Sequence, residues 1–241
     1  LIANLFIGAE EMSILSIAKT LPVMIIGFIG VIAGAFYPAM TISYSTQSTE
    51  DFLGETKFAS KMCGFICSVP VMGIVVFGKE FFGLWLPTLN AVEINQIQLL
   101  SILTLIPQML SIYVFPLYQI NTITCKVRVP AILDCIIGVL NIGIVYVPLK
   151  TTDLGLYAIA GVSSALLILK ILLFVPLYAA GNIHVKKGTF YPYIIRGLVL
   201  NVVVLGVFFL IRSIIPAASW VVLIVSVMIA AVCGYAVGFF I

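Results

Sequence analysis

Apolar residues come in long runs along this chain, separated by short polar breaks and without the every-second-residue alternation of a half-buried strand. The breaks predict spans at 14–45, 57–78, 93–121, 130–148, 154–180, 190–212 and 216–241. Each is close to or above the ~20 helical residues that cross a hydrocarbon core of ~30 Å. An apolar tail at 1–8, ended by Glu10 and Glu11, reads as the last turns of a further span. Lipid offers no water to backbone groups, so spans are helices or closed barrels, and unalternating runs exclude the barrel. The predicted fold class is therefore all-α: a polytopic membrane helix bundle of seven complete transmembrane helices plus the tail of an eighth.

Three local patterns add detail. In the first span Gly27, Gly30 and Gly34 recur at three- and four-residue spacing, a stripe that predicts close approach of a neighbouring helix. Pro38 removes a backbone donor and predicts a kink in the last third of the same span. Between Gly78 and Glu93 the sequence is too short and mixed to cross, and Phe81, Phe82, Leu84 and Trp85 predict an interfacial segment at headgroup level.

Composition agrees: the chain is 63% hydrophobic and 9% charged, with a mean hydropathy of +1.26. Ordinary soluble domains are about 45–50% apolar and about 25% charged. The net charge of +3 is too small to imply nucleic acid and fits orientation in a membrane instead. One set of alternate loops and span ends carries Lys57, Lys61, Lys126, Arg128, Lys186, Lys187 and Arg196; the other carries Lys19, Lys79, Lys150 and Arg212. By the positive-inside rule the first set faces the cytoplasm, with the C-terminus on that side. The five cysteines have no ligand spacing and read as small apolar packing residues.

Ionisable groups inside spans are the candidate functional residues, because a charge at the bilayer centre costs at least ~2.5–3.5 kcal/mol and must face a partner or a wet cavity. Lys170 is the deepest, and a helix-to-helix tether to Asp134 or to backbone carbonyls is its alternative to a binding role. Asp134, about a turn inside its span, is a candidate for proton or ion coupling, or else for pairing with Lys126 or Arg128. Lys19 lies one turn into the first span, at the outer mouth of any cavity that the span lines. Gln108 and Asn141 are candidate sugar contacts, while helix-to-helix hydrogen bonding is the default for them and for Gln119, Asn121 and Asn201. GxSxG, HExxH, Walker and DxxxD patterns are missing from the sequence, so neither catalysis nor a metal or other cofactor is expected.

Several stretches, in order, resemble bacterial polysaccharide flippases of the multidrug, oligosaccharidyl-lipid and polysaccharide exporter superfamily. They are AFYPAMTISYS followed by a polar loop and KFASK, then SVPVMGIVVFGKEFFGLWLP, TCKVRVPAILDCIIGVLNIGIVYV and DLGLYAIAGVSSALLILKILLFVPLYAA. The resemblance covers roughly 14–180, and the last two spans agree in number and hydropathy only. It implies a fourteen-helix protein of two six-helix lobes plus two helices. On that template, 1–180 is the C-terminal lobe with its first helix truncated, and 181–241 supplies the two additional helices. The implied partner is a polyprenyl-diphosphate-linked oligosaccharide, flipped between leaflets by alternating access against the missing N-terminal lobe. On depth and chemistry, Lys170 and Lys19 would meet the charged headgroup, and Gln108 and Asn141 the sugars. The alternatives are a relative carrying cell-wall precursor lipid or drugs, a membrane-embedded glycosyltransferase or polymerase, and a structural subunit.

Overall fold

The computed structural model describes residues 8–46, 48–152, 155–216 and 219–239, so the apolar tail ahead of Gly8 lies outside the described residues. All regular structure within them is helical, and seven stretches are long and apolar enough to cross a membrane. In chain order the helices are α1 (Ala9–Ala35), α2 (Tyr37–Thr46), α3 (Thr49–Trp85), α4 (Ala91–Ile123) and α5 (Arg128–Thr151). There follow α6 (Gly155–Leu169), a π-helical turn (Lys170–Phe174), α7 (Val175–Asn182), α8 (Tyr191–Ile214) and α9 (Trp220–Phe239). α1 with α2 forms one span, and α6 with the π turn and α7 forms another.

Proline explains both interruptions. Pro38 has no N–H to offer the Gly34 carbonyl, and the first span breaks at Phe36, between α1 and α2. Pro176 likewise leaves the Leu172 carbonyl free, and the helix widens to π geometry just ahead of it. The Tyr191 hydroxyl donates to that carbonyl at 2.8 Å, so the backbone group has a partner despite its depth.

α3 is longer than its predicted span at both ends. Its 37 residues measure about 55 Å, well beyond a ~30 Å core, so its first turns leave the hydrocarbon. A capping box opens it: Ser48 Oγ accepts from the Asp51 N–H at 3.2 Å, and Asp51 accepts from the Ser48 N–H at 3.3 Å. At the other end the helix runs past the predicted end at 78, so Phe81, Phe82, Leu84 and Trp85, expected in an interfacial segment, are its continuous last turns. Nothing breaks the helix before Pro87, which disfavours helical geometry at Leu86.

The core sits between α3, α4 and α8 and continues into α9 through Val204, Phe208, Leu223 and Ala230. At its centre is Tyr113 of α4, whose hydroxyl lies 2.6 Å from the Gly197 carbonyl and 2.9 Å from Asn201 Oδ1. Both are acceptors, so its one proton ties α4 to α8. A Cβ at Gly64 or at Gly197 would overlap the Tyr113 ring, so these two glycines let three helices close on one aromatic plate. Gly78 serves Gln98 in the same way, and Gln98 Nε2 donates to the Val75 carbonyl at 3.0 Å.

The first-span glycines do not behave as expected. A Cβ at Gly27 or Gly34 would meet nothing within 4 Å, and at Gly30 only the tip of the Phe115 ring at 3.8 Å. Small-residue spacing marks a surface that another helix can approach, and here the other helices lie elsewhere. α1 is joined to α4 instead at the break, where Gln119 Nε2 donates to the Ala33 carbonyl at 2.7 Å.

Candidate functional site

Asp134 of α5 and Lys170 at the start of the π turn form an ion pair. The ammonium also lies 5.1 Å from the centre of the Tyr118 ring of α4, a cation–π distance. Three spans therefore meet at one charge. The lysine side chain is 10% exposed and the carboxylate 52%, so the cluster is closed on the α4 side and open on the α5 side. Lys170 lies near the middle of the span Gly155–Asn182, as its sequence position predicted, and its amine is not turned into hydrocarbon.

A second polar contact shares this seam. Asn141 Nδ2 donates to Ser163 Oγ at 3.0 Å, and the serine hydroxyl in turn sits 3.2 Å from Asn141 Oδ1. Asn141 follows Asp134 by seven residues and Ser163 precedes Lys170 by seven, so the two contacts are rungs about 10.5 Å apart between antiparallel α5 and α6. These rungs join α5 to its neighbour, and Val145 is its one buried residue. Asn141 is half-buried, with its amide already engaged.

The other candidates lie apart from the cluster. Gln108 is 7% exposed within α4. Lys19 is half-buried and follows Ala18, which packs in a small core with Leu156 and Ala160. Ala160 to Lys170 is ten residues, or about 15 Å along the helix, so the two lysines sit at different depths. Asp134 pairs with neither Lys126 nor Arg128; Lys126 Nζ donates to the Asn182 carbonyl at 3.3 Å instead. Four of the amides expected to join helices do so, Gln119 and Asn141 as described above, Asn121 by accepting from Asn182 Nδ2 at 2.8 Å, and Asn201 by donating from Nδ2 to the Met109 carbonyl at 3.3 Å.

Sequence reading missed Tyr118 and Ser163. The signal for Ser163 is its seven-residue offset from Lys170, which matches the offset of Asn141 from Asp134; nothing in the sequence separates Tyr118 from other span tyrosines. Two cavities of about 490 and 480 Å³ are lined by α3, α8 and α9, one of them also by Tyr113 and the other by Leu21 and Phe28. Neither includes Lys170, Asp134, Lys19, Gln108 or Asn141. Among the described residues no group of three or more His, Cys, Asp and Glu side chains is placed to hold a metal ion.

Helices of this length and hydropathy, with polar groups turned onto one another between spans, define a multi-pass helical membrane protein. Over 237 residues the chain is 27% identical to "Uncharacterized membrane protein EpsK" of Bacillus subtilis (strain 168), a match that takes in 98% of this chain and 46% of that protein. The chain thus spans about half the length of the curated relative it matches. No family model matches it, and no solved structure does.

Proposed function

We propose that the chain forms the C-terminal part of a transporter that flips polyprenyl-diphosphate-linked oligosaccharide from the cytoplasmic to the outer leaflet by alternating access. The Lys170–Asp134–Tyr118 cluster carries this reading. It holds a cation at bilayer depth between three spans, with its carboxylate half open at the edge of the bundle. An anionic diphosphate arriving from that edge competes with Asp134 for the ammonium, which gives a reversible hold rather than a permanent one. Asn141 and Ser163, two turns along the same seam, offer neutral donors and acceptors to sugar hydroxyls. Lys19, at another depth, serves a second stage of the path rather than the same hold. Asp134, once released from Lys170, is the group through which a proton or cation couples to the cycle.

Half of such a site lies on an opposing lobe, which fits a curated relative about twice as long. Orientation follows from the basic loops: Lys57, Lys61, Lys126, Arg128, Lys186 and Lys187 lie at one end of the bundle, and that end is cytoplasmic, in an inner (plasma) membrane. The test is Lys170→Ala in the full-length protein. Surface polysaccharide is lost while membrane insertion and protein level stay normal; unchanged polysaccharide removes Lys170 from the site.

A further inference from the structure

The cavity of about 490 Å³ lies away from the α5–α6 seam, where α3, α4, α8 and α9 meet. Its size is ordinary for a small-molecule site, ~300–1,000 Å³. Its walls are mostly apolar, from Phe65, Tyr113, Leu200 and Phe239, while Lys61 and Arg196 also line it. Both cations are exposed, and neither forms an ion pair among the described residues. A third, Lys57, lies one turn before Lys61 and 5.4 Å from the Tyr193 ring centre, where it adds positive potential at the same end. Ser60, 4% exposed, lines the cavity with a hydroxyl that has no hydrogen-bond partner among the described residues. Tyr113, by contrast, is fully engaged with α8 and forms a rigid wall.

An apolar hollow with unpaired cations and a spare hydroxyl matches a molecule that has a greasy chain and a compact anionic head. We infer that this cavity holds one anionic diacyl phospholipid, a phosphatidylglycerol-like lipid, with an acyl chain against Phe65 and Leu200 and the phosphate between Lys61 and Arg196. α3 and α8 both begin at this end of the bundle, and the cations lie within the first four turns of their helices, about headgroup level for a helix of α3's length. In the orientation proposed above this is the leaflet rich in anionic lipid. The lipid then mortars α9 to α3, since Gly238 and Phe239 of α9 line the hollow together with Ser60, Lys61 and Phe65 of α3. The inference is independent of export, because no residue of the Lys170 cluster takes part.

The experiment is native mass spectrometry of the full-length protein, purified in detergent and supplied with equimolar phosphatidylglycerol and phosphatidylcholine. One phosphatidylglycerol is retained, preferred about thirtyfold, or about fivefold per cation. Lys61→Gln with Arg196→Gln abolishes the preference and leaves phosphatidylcholine binding as it was. Gly238→Leu, which fills the hollow beside Leu200 and Phe65, lowers retention of both lipids. Equal retention of the two lipids by the wild type, or an unchanged preference in the double variant, overturns the inference. So does displacement by millimolar inorganic phosphate, which marks a free-anion site, or by equimolar prenyl diphosphate, which gives the cavity to the transported lipid.

Discussion

α4 and α5 are consecutive spans with opposite relations to the rest of the molecule. In its most apolar stretch α4 has a hydropathy of 1.7 and 61% of residues buried, whereas α5 has 2.1 and 6%. The more apolar helix is the less buried. In water that order would be perverse; in lipid it is expected, because hydrocarbon is as good a neighbour for leucine as another helix is. What lipid rejects is the polar side chain, and α4 carries Gln98, Ser101, Gln108, Ser111 and Asn121 as buried residues. Its amides and hydroxyls reach α1, α3, α8 and the end of α7. α5 offers Asp134 and Asn141 to a single neighbouring span, through Lys170 of the π turn and Ser163 of α6.

The comparison breaks most visibly at Gly197. Substitution to Ala drives a Cβ into the Tyr113 ring, which has little room to retreat because Gly64 also packs against it and its hydroxyl is tied to α8. The expected loss is about 1–3 kcal/mol, read as an earlier thermal unfolding midpoint in detergent. Gly206→Ala on the same helix, where a Cβ meets nothing within 4 Å, is the control and changes stability by less than about 0.5 kcal/mol. Equal effects at the two glycines would mean that the α3–α4–α8 centre is no tighter than the periphery.

The α5 rungs come next. A double-mutant cycle of Lys170→Met and Asp134→Asn is expected to give a coupling of about 0.5–1 kcal/mol, because the half-exposed carboxylate is screened and the pair is not deeply desolvated. The Asn141→Ala and Ser163→Ala cycle is expected at about 0.6 kcal/mol. Two weak rungs hold α5 against its neighbour with little energy, in contrast to the many polar ties of α4. A coupling above about 3 kcal/mol at either rung would make α5 a fixed strut and reverse the contrast with α4.

Spans and class were legible in the sequence because a continuous apolar run has one physical solution in lipid. The depth of Lys170 and the break near Pro38 were legible for the same reason: each is a local consequence of one residue in a helix. Which faces meet was not. The glycine spacing at 27, 30 and 34 is that of a contact stripe, yet the tightest contacts fall at Gly64, Gly78 and Gly197, whose sequence surroundings carry no such repeat; Gly234 and Gly238, four apart, do pack closely. A glycine is informative only with its opposing side chain, and Tyr113 is 49 residues from Gly64 and 84 from Gly197. Asp134 had the same ambiguity: Lys126 and Arg128 are nearer in sequence, but they sit at the helix start and Lys170 lies on the adjoining span. The end of the second span was misplaced because interfacial composition and the last turns of an overlong helix look alike until Pro87.

The smallest expected effect is at Gly34. With nothing within 4 Å of an added Cβ, Gly34→Ala is expected to change stability by less than about 0.5 kcal/mol, measured as for Gly197. Helix propensity favours the alanine, and no side chain has to move to admit it. A loss as large as that at Gly197 would show that the exposed α1 face packs inside this chain after all, and the division into a tight centre and a loose rim would fail. Neutral stability keeps that division and leaves the stripe as surface that this chain does not itself cover, so α1 and α5, for all their hydropathy, are the spans whose neighbours are free to change.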